Sequence, residues 1–440
     1  MSKPDPKQDK EDIAVAHIGM LYQSADQIRG SFEGQILAHA HFKGLDLRSS
    51  DFRGANLMGA KFVDCDLRDA IFHYAQLESV HFINCRLDRG DFRGAEISYL
   101  FVGQSDEDVK QLKGESSMTE QTHQVRYVIS RGFLYEVFCW IPPQLDQRKS
   151  AARPLIIFHG MTGHALDFEQ LAHRAERPVY ALNLLGHGVT SYLPLSEEAE
   201  LVESEESTDR SAPLYEEVVE QVIDVIVEVL TSSKATVQSS TQRMISFDLM
   251  GYSLGGRLAL HVSRALQGSS KKSKSATNHI QLTQILVIGA SLGLSQEKDR
   301  EVRRQADRQW SDPLWVSTST NEFLRVWNQQ PLLARLQTLN PKQALKLSIH
   351  RKSHHPQGLA IAFDSLGLGE MPPLHDHLAT IASPITWIYG AEDEKYEKIA
   401  QRASELHPSS TLVSIPNTGH APHLEDFDTF WDRTSHLLRG

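Results

Sequence analysis

Between residues 32 and 102 the chain repeats itself every five residues. Phe32, Phe42, Phe52, Phe62, Phe72, Phe82 and Phe92 alternate with Leu37, Leu47, Leu57, Leu67, Leu77, Leu87 and Ile97. Two residues before most of these centres sits a small or apolar side chain, among them Ala40, Ala55, Ala60, Cys65, Ala70, Ala75 and Cys85. A five-residue period fits neither an amphipathic helix, with its spacing of about 3.6 residues, nor a flat strand, with its spacing of about 2. It calls for a coil in which each short unit buries its side chains only by stacking on the next.

This stretch resembles the pentapeptide-repeat family, whose fold is a right-handed, four-sided β-helix. If each coil takes four repeats, it takes 20 residues, and alternation places Phe on two opposite faces. Phe32, Phe52, Phe72 and Phe92 then form one interior stack, and Phe42, Phe62 and Phe82 the facing one. Cys65 and Cys85 fall one above the other. They read as small buried apolar groups, like the alanines, rather than as a metal or redox pair. Residues 13–28 are expected to form a short helix capping the open end of the β-helix, since solenoids need such caps. Acidic and basic residues are nearly balanced over 32–102, so a strong imitation of DNA is not indicated. Scaffold, dimerisation arm or docking surface for an unknown protein all stay open.

A different signal lies at 245–255. An apolar run, read as a buried strand, ends in Gly251-Tyr252-Ser253-Leu254-Gly255, and a helical segment follows. Glycines around a serine at a strand-to-helix turn let the backbone turn sharply and present the hydroxyl. A serine hydroxyl needs a base and an orienting acid, which in this fold follow in the order Ser, Asp or Glu, His. Asp393 stands after the apolar run Ile385-Thr386-Trp387-Ile388-Tyr389-Gly390, with Glu392 and Glu394 as competing neighbours. His420 stands after the next strand, behind Gly419. Ser253, Asp393 and His420 are the expected catalytic residues. Two backbone N–H groups should make an oxyanion hole: Leu254, directly after the serine, and Met161, in the loop after the strand at 154–158. His187, in the loop Leu185-Gly186-His187-Gly188, reads as structural.

Residues 150–438 resemble the 2-succinyl-6-hydroxy-2,4-cyclohexadiene-1-carboxylate synthases of menaquinone biosynthesis. Three stretches carry the likeness: Gly-Tyr-Ser-Leu-Gly-Gly-Arg around Ser253, an arginine-rich segment from Arg300 to Trp310, and Trp327-Asn328-Gln329-Gln330-Pro331. The resemblance implies a lyase that removes a proton next to a ketone and expels pyruvate from a substrate with three carboxylates. It also implies that Tyr252, Arg257, Arg303, Trp327 and Arg351 bind that substrate. Guanidinium groups suit carboxylates because they stay charged and donate in pairs. Arg257 lies four residues after Ser253, on the same face of the expected helix. After Arg351 the chain departs from the family, reading Lys352-Ser353-His354-His355. Asn183 stands where many members of the fold place Asp. The competing readings are a serine esterase, thioesterase or C–C hydrolase on the same triad, and an interaction protein acting through the β-helix.

The expected architecture is therefore multi-domain. A cap or tail covers 1–30, the β-helix 31–103, and a polar linker 104–121. An α/β-hydrolase fold covers 122–440, opening with a hairpin at 125–130 and 133–141. Strands are expected at 154–158, 178–184, 245–250, 284–289, 384–389 and 411–415, in a mostly parallel sheet. Residues 295–382 read as a helical cap, where substrate selectivity is expected. The stretches 196–211, 231–243 and 267–278 read as polar insertions, and no function is assigned to them. The net charge of -11 argues against general nucleic-acid or membrane-surface binding, and the 3 cysteines suit a reducing cytoplasm. The charged N-terminus does not read as a signal peptide, and no apolar run is long enough to cross a membrane. No cofactor and no metal is expected; the partner is a small polycarboxylate.

Overall fold

A computed structural model describes residues 20–22, 31–77, 80–83, 85, 101–103, 124–131, 133–142, 152–188, 190, 212–231, 244–268, 279–317 and 319–439. The chain divides into two compact units, Met1–Val125 and Arg126–Gly440. The linker at 104–121, Leu87, Phe92, Ile97 and nearly all of the three polar insertions lie outside the described residues.

The first unit is a β-helix with a 20-residue coil. Three-residue strands pair in parallel, His41–Lys43 with Lys61–Val63 and Lys61–Val63 with His81–Ile83, each partner 20 positions on. The five-residue period becomes a four-sided coil through its corners. Two residues after each buried centre from Phe32 to Phe72 the backbone turns left-handed, at Gly34, His39, Gly44, Ser49, Gly54, Gly59, Asp64, Asp69 and Tyr74. Glycine adopts that conformation without penalty, and Asn or Asp more readily than branched residues. The phenylalanines form two columns. Phe32 and Phe52 stack at 4.7 Å and Phe52 and Phe72 at 4.9 Å; Phe42 and Phe62 stack at 4.5 Å and Phe62 and Phe82 at 5.0 Å. Rings of facing columns meet edge to face, a favourable arrangement for aromatic quadrupoles. Cys65 and Cys85 are buried thiols.

One expectation fails here. Within 13–28, Leu21–Tyr22 is not helical but a strand paired in parallel with His41 and Phe42. The rest of that stretch lies outside the described residues, apart from Met20. Tyr22 stacks on Phe42 at 4.7 Å and so extends the column by one coil. Its aromatic ring, 20 residues before Phe42, continues a register that the Phe/Leu alternation alone does not reveal.

The second unit is built on eight strands: β1 (Gln124–Ser130), β2 (Phe133–Trp140), β3 (Leu155–Phe158), β4 (Val179–Leu182), β5 (Ile245–Tyr252), β6 (Ile280–Ile288), β7 (Ile385–Gly390) and β8 (Ser410–Ile415). They lie in the order β8-β7-β6-β5-β3-β4-β2-β1. From β3 onward neighbouring strands run parallel, and β2 pairs antiparallel with β4. β3 and β4 are buried at every position, as continuous apolar runs in a covered parallel sheet should be. β6 begins earlier than the expected 284. Its first half, Ile280-Gln281-Leu282-Thr283, mixes polar and apolar residues and is only partly buried, so it lacks an apolar-run signal.

The longer helices of the unit are α1 (Tyr215–Thr231), α2 (Leu254–Gly268), α3 (Glu297–Trp315), α4 (Asn321–Trp327), α5 (Pro341–Lys352), α6 (Pro356–Leu366), α7 (Glu394–Leu406) and α8 (Phe427–Leu438). α1 buries Val218, Val222, Val225 and Val229 along one stripe, the helical spacing that packs onto a sheet. α3 to α6 fall within the expected cap. Leu314, Leu359, Ala360 and Phe363 form a small apolar centre there, with Trp310, Phe323, Trp327 and Met161 packed against it.

Candidate active site

β5 delivers Ser253 at the elbow with φ of 51°, a left-handed conformation that a non-glycine residue holds at a cost. The flanking glycines are needed for space. A Cβ on Gly251 would lie 2.2 Å from the Gly255 carbonyl oxygen, and one on Gly255 would lie 2.4 Å from that of Phe158. The Ser253 N–H donates to Ile288 O at 2.8 Å, fixing the turn to β6.

His420 follows β8. Its Nε2 lies 3.3 Å from Ser253 Oγ, and its Nδ1 lies 2.9 Å from Asp393 Oδ2. Asp393 also caps α7, accepting the Tyr396 N–H at 3.2 Å. A carboxylate at the start of a helix is held by the helix's own amides, so Asp393 is pinned while it faces the imidazole. Glu392 turns to Arg335 at 3.3 Å and the exposed Glu394 to Lys398 at 3.5 Å, which leaves Asp393 on His420. Glu425 fixes the other side of the histidine loop, accepting the N–H groups of Gly419 at 2.5 Å and Ala421 at 2.9 Å. The geometry lets Ser253 donate to Nε2 while Nδ1–H donates to Asp393, which is what activation of a serine hydroxyl requires.

Leu254 is the first residue of α2, so its N–H has no acceptor within the helix. The loop carrying Met161 approaches the elbow: the Gly255 N–H donates to His159 O at 3.0 Å, and a Cβ on Gly160 would lie 3.6 Å from Ser253 Cβ. The Met161 side chain packs against the small apolar centre of the cap.

The structure gathers most of the expected binding residues around this point. Arg257 is one turn along α2, its N–H donating to Ser253 O at 3.1 Å. It is buried, and its guanidinium lies 3.8 Å from Met371 Sδ. Burial pulls its pKa below the ordinary arginine value, with Tyr215, Tyr396, Arg303 and Asp307 as its ionisable neighbours. Among the described residues it forms no salt bridge. Arg303 is partly exposed and donates to Asp307 Oδ1 at 2.9 Å. Asp307 is itself buried, which pushes its carboxyl pKa up against the pull of Arg303. Arg351, in the last turn of α5, is buried and hydrogen-bonds Asn328 Oδ1. Burial lowers its pKa, opposed by Asp167 and the Tyr252 phenol nearby. The Tyr252 ring lies 5.4 Å from that of His420, and burial pushes its hydroxyl pKa up. Trp327 is set apart from these groups in the cap, between Trp310 at 5.1 Å and Phe363 at 5.4 Å.

Three neighbours of the site lie outside the expected site residues. Tyr396 lies 4.4 Å from the His420 ring, three residues after Asp393. His423 lies 4.6 Å from Tyr252 and stacks on Phe168 at 5.0 Å. Asn328 holds Arg351. Spacing within the helix-cap motif points to Tyr396; nothing local points to the other two. Asn183 accepts the Ala165 N–H at 2.8 Å and donates to Glu136 at 2.6 Å, so it is a buried, satisfied group. Among the described residues no cluster of His, Cys, Asp or Glu is arranged to hold a metal, and no helix is long and apolar enough to cross a membrane.

A sequence model of the alpha/beta hydrolase family matches residues 155–433, and one of pentapeptide repeats matches 31–62 and 60–98. The chain is 29% identical over 197 residues to a 2-succinyl-6-hydroxy-2,4-cyclohexadiene-1-carboxylate synthase of Photorhabdus laumondii, covering 45% of this chain and 64% of that one. To a putative enzyme of the same name from Haemophilus influenzae it is 30% identical over 182 residues, covering 41% and 66%. The matches thus span just under two thirds of these two relatives. With the Salmonella typhimurium enzyme of that name the identity is 27% over 288 residues, covering 65% of this chain and 93% of the relative. Among solved structures, MenH from S. aureus superposes with a TM-score of 0.53 at 21% identity, over 69% of this chain and 96% of that one. A thermophilic esterase from Thermogutta terrifontis superposes with a TM-score of 0.51 at 16% identity, over 72% and 98%. These two likenesses show the fold.

Proposed function

We propose that this chain, which belongs to the alpha/beta hydrolase family, is a lyase that eliminates pyruvate from 2-succinyl-5-enolpyruvyl-6-hydroxy-3-cyclohexene-1-carboxylate. The product is 2-succinyl-6-hydroxy-2,4-cyclohexadiene-1-carboxylate, an intermediate on the way to menaquinone or phylloquinone. Relatives that bear the synthase name support the reading. The observation that carries it is Arg257: a buried guanidinium one turn from Ser253, beside Arg303, with no salt bridge of its own among the described residues. A buried guanidinium without a bonded carboxylate is less stable than a paired one, and an anionic substrate supplies that carboxylate. A neutral-ester hydrolase has no use for it.

In this reading His420, oriented by Asp393, takes the Ser253 proton. The serine oxygen then removes the proton next to the succinyl ketone. The electron pair moves into the ring, the carbon–oxygen bond to the enolpyruvyl group breaks, and the three-carbon group leaves as the enolate of pyruvate, which takes up a proton at its terminal carbon to give pyruvate. The Leu254 and Met161 N–H groups hold the oxygen of the developing enolate. Arg257, Arg303 and Arg351 bind carboxylates, Tyr252 meets the substrate beside His420, and Trp327 meets it from the cap. Ser253 need not become acylated.

The test follows pyruvate release from this substrate beside a Ser253→Ala control and a simple aryl ester. Ser253-dependent pyruvate release is expected. Ester hydrolysis without pyruvate release would assign the protein to the hydrolases instead.

A further inference from the structure

Behind the loop that carries Met161 lie three histidines that the mechanism above does not use. His159, His187 and His354 are all buried. Each faces a different carbonyl of three consecutive residues. His159 Nδ1 lies 2.7 Å from Gly160 O, His187 Nε2 bonds Met161 O, and His354 Nε2 lies 3.4 Å from Thr162 O. Two of the rings have their tautomer fixed from the far side. The Leu184 N–H donates to His159 Nε2 at 3.0 Å, so the ring proton of neutral His159 sits on Nδ1. The Gly188 N–H donates to His354 Nδ1 at 3.0 Å, so the proton of neutral His354 sits on Nε2. His187 also has Leu185 O at 3.0 Å from Nδ1; one ring proton cannot serve both carbonyls, and that of Met161 is the nearer.

A trans peptide points its C=O and N–H in opposite directions. Holding the Gly160 carbonyl against His159 therefore aims the Met161 N–H the other way. The Gly163 N–H closes the turn onto Gly160 O at 3.0 Å, using that oxygen's second lone pair. The carbonyls of 160, 161 and 162 are thus all tied, and a tied turn cannot rotate its peptide planes. Burial holds the imidazoles neutral, with His159 pulled down to about 3, so they donate hydrogen bonds without placing positive charge behind the loop.

We infer that His159, His187 and His354 are positioning residues: a clamp of three buried imidazoles that pre-sets the turn 160–162 and thereby aims the Met161 N–H at the oxygen that becomes negative during reaction. The clamp rests on the reading of Ser253 as the reacting serine. It deepens that reading, because donors fixed in advance need no reorganisation as charge develops.

Asparagine and glutamine separate the clamp from bulk effects. An Asn amide reaches the Nδ1 position of the histidine it replaces, and a Gln amide reaches the Nε2 position. At His159 the donor is Nδ1, so His159→Asn keeps the bond and His159→Gln loses it. At His354 the donor is Nε2, so His354→Gln keeps the bond and His354→Asn loses it. Two rates are measured on the full chain: kcat for pyruvate release, and phosphonylation of Ser253 by an alkyl fluorophosphonate. In the second reaction Ser253 Oγ bonds to phosphorus, fluoride leaves, and the proton passes to His420. The phosphoryl oxygen calls on the same N–H groups.

The clamp predicts a crossed pattern. His159→Gln and His354→Asn lower both rates about 10- to 100-fold with KM unchanged, less than the 100- to 1,000-fold loss of removing an oxyanion donor outright. His159→Asn and His354→Gln stay within about threefold of the parent. The same ranking of Asn and Gln at both positions would overturn the clamp. Should one variant fail to fold, His187→Gln against His187→Asn repeats the comparison, with Gln the tolerated change. If the parent protein labels at Ser253 but releases no pyruvate, the failure belongs to the proposed reaction, and phosphonylation alone decides the clamp.

Discussion

Inside the β-helix, Phe42, Phe62 and Phe82 stack face to face, and every coil buries the same kind of side chain as the last. Behind Ser253 the buried groups are His159, His187, His354, Arg257 and Arg351, and no two have the same partner. Apolar burial is non-directional and roughly proportional to area, so repetition suffices to stabilise a coil. Polar burial is destabilising unless each donor finds its acceptor. Among the described residues the β-helix buries almost only apolar side chains, His81 being an exception, whereas the second unit buries many polar groups, among them the Arg177–Asp248 pair as well as those around Ser253.

The largest effect expected from breaking this contrast lies in the triad. His420→Ala should reduce pyruvate release by at least about a thousandfold, and adding Ser253→Ala should lower it little further, because such residues act as one unit. Turnover measured for the two singles and the double tests this; additive losses would mean that Ser253 and His420 act separately. In the β-helix, Phe62→Ala removes a ring from a continuous column and should cost about 3–5 kcal/mol of that unit's stability. Calorimetry with a separate transition for each unit shows it. Loss of catalytic activity in the folded variant would contradict the division of labour.

How much of this was readable from residues follows the same contrast. The β-helix rule is local: two coils of sequence define the columns, and among the described residues Tyr22 escaped it, because the alternation begins after it. The serine elbow, Asp393, His420 and Arg257 were legible because each sits in a short motif or at a helical spacing. The histidine clamp was not. His354 stands 166 residues after Gly188, whose amide fixes its tautomer, and only the folded sheet and cap bring them together. Glu425 and Asn328 escaped for the same reason, since their roles depend on what lies across a loop.

A distributed effect, summed over several rings and so comparable with the loss of a core phenylalanine, is the response to acid. Burial lowers His159, His261 and His423 from 6.5 to about 3 each. Between those values the unfolded chain binds more protons than the folded one, so stability is full above pH 6.5 and is lost as the pH falls toward 3. Each histidine contributes up to about 1.4 kcal/mol per pH unit in that window. Urea unfolding of the second unit at pH 7 and pH 5 should therefore give a lower midpoint at pH 5; an unchanged midpoint would mean that these rings are protonated in the fold. The smallest effect is expected for Arg303→Ala. Its guanidinium is partly exposed and already paired with Asp307, so kcat/KM should fall less than for Arg257→Met. Equal losses would mean that the two arginines share one carboxylate.

The central claim is that buried charge beside Ser253 exists to bind a polycarboxylate, and binding without turnover tests it most directly. Titration calorimetry of the enolpyruvyl cyclohexene tricarboxylate into Ser253→Ala should show saturable binding. In Ser253→Ala with Arg257→Met, affinity should drop by about 2–5 kcal/mol, a factor of roughly 30 to several thousand. Equal affinity in the two proteins would contradict the claim and leave Arg257 as a packing residue.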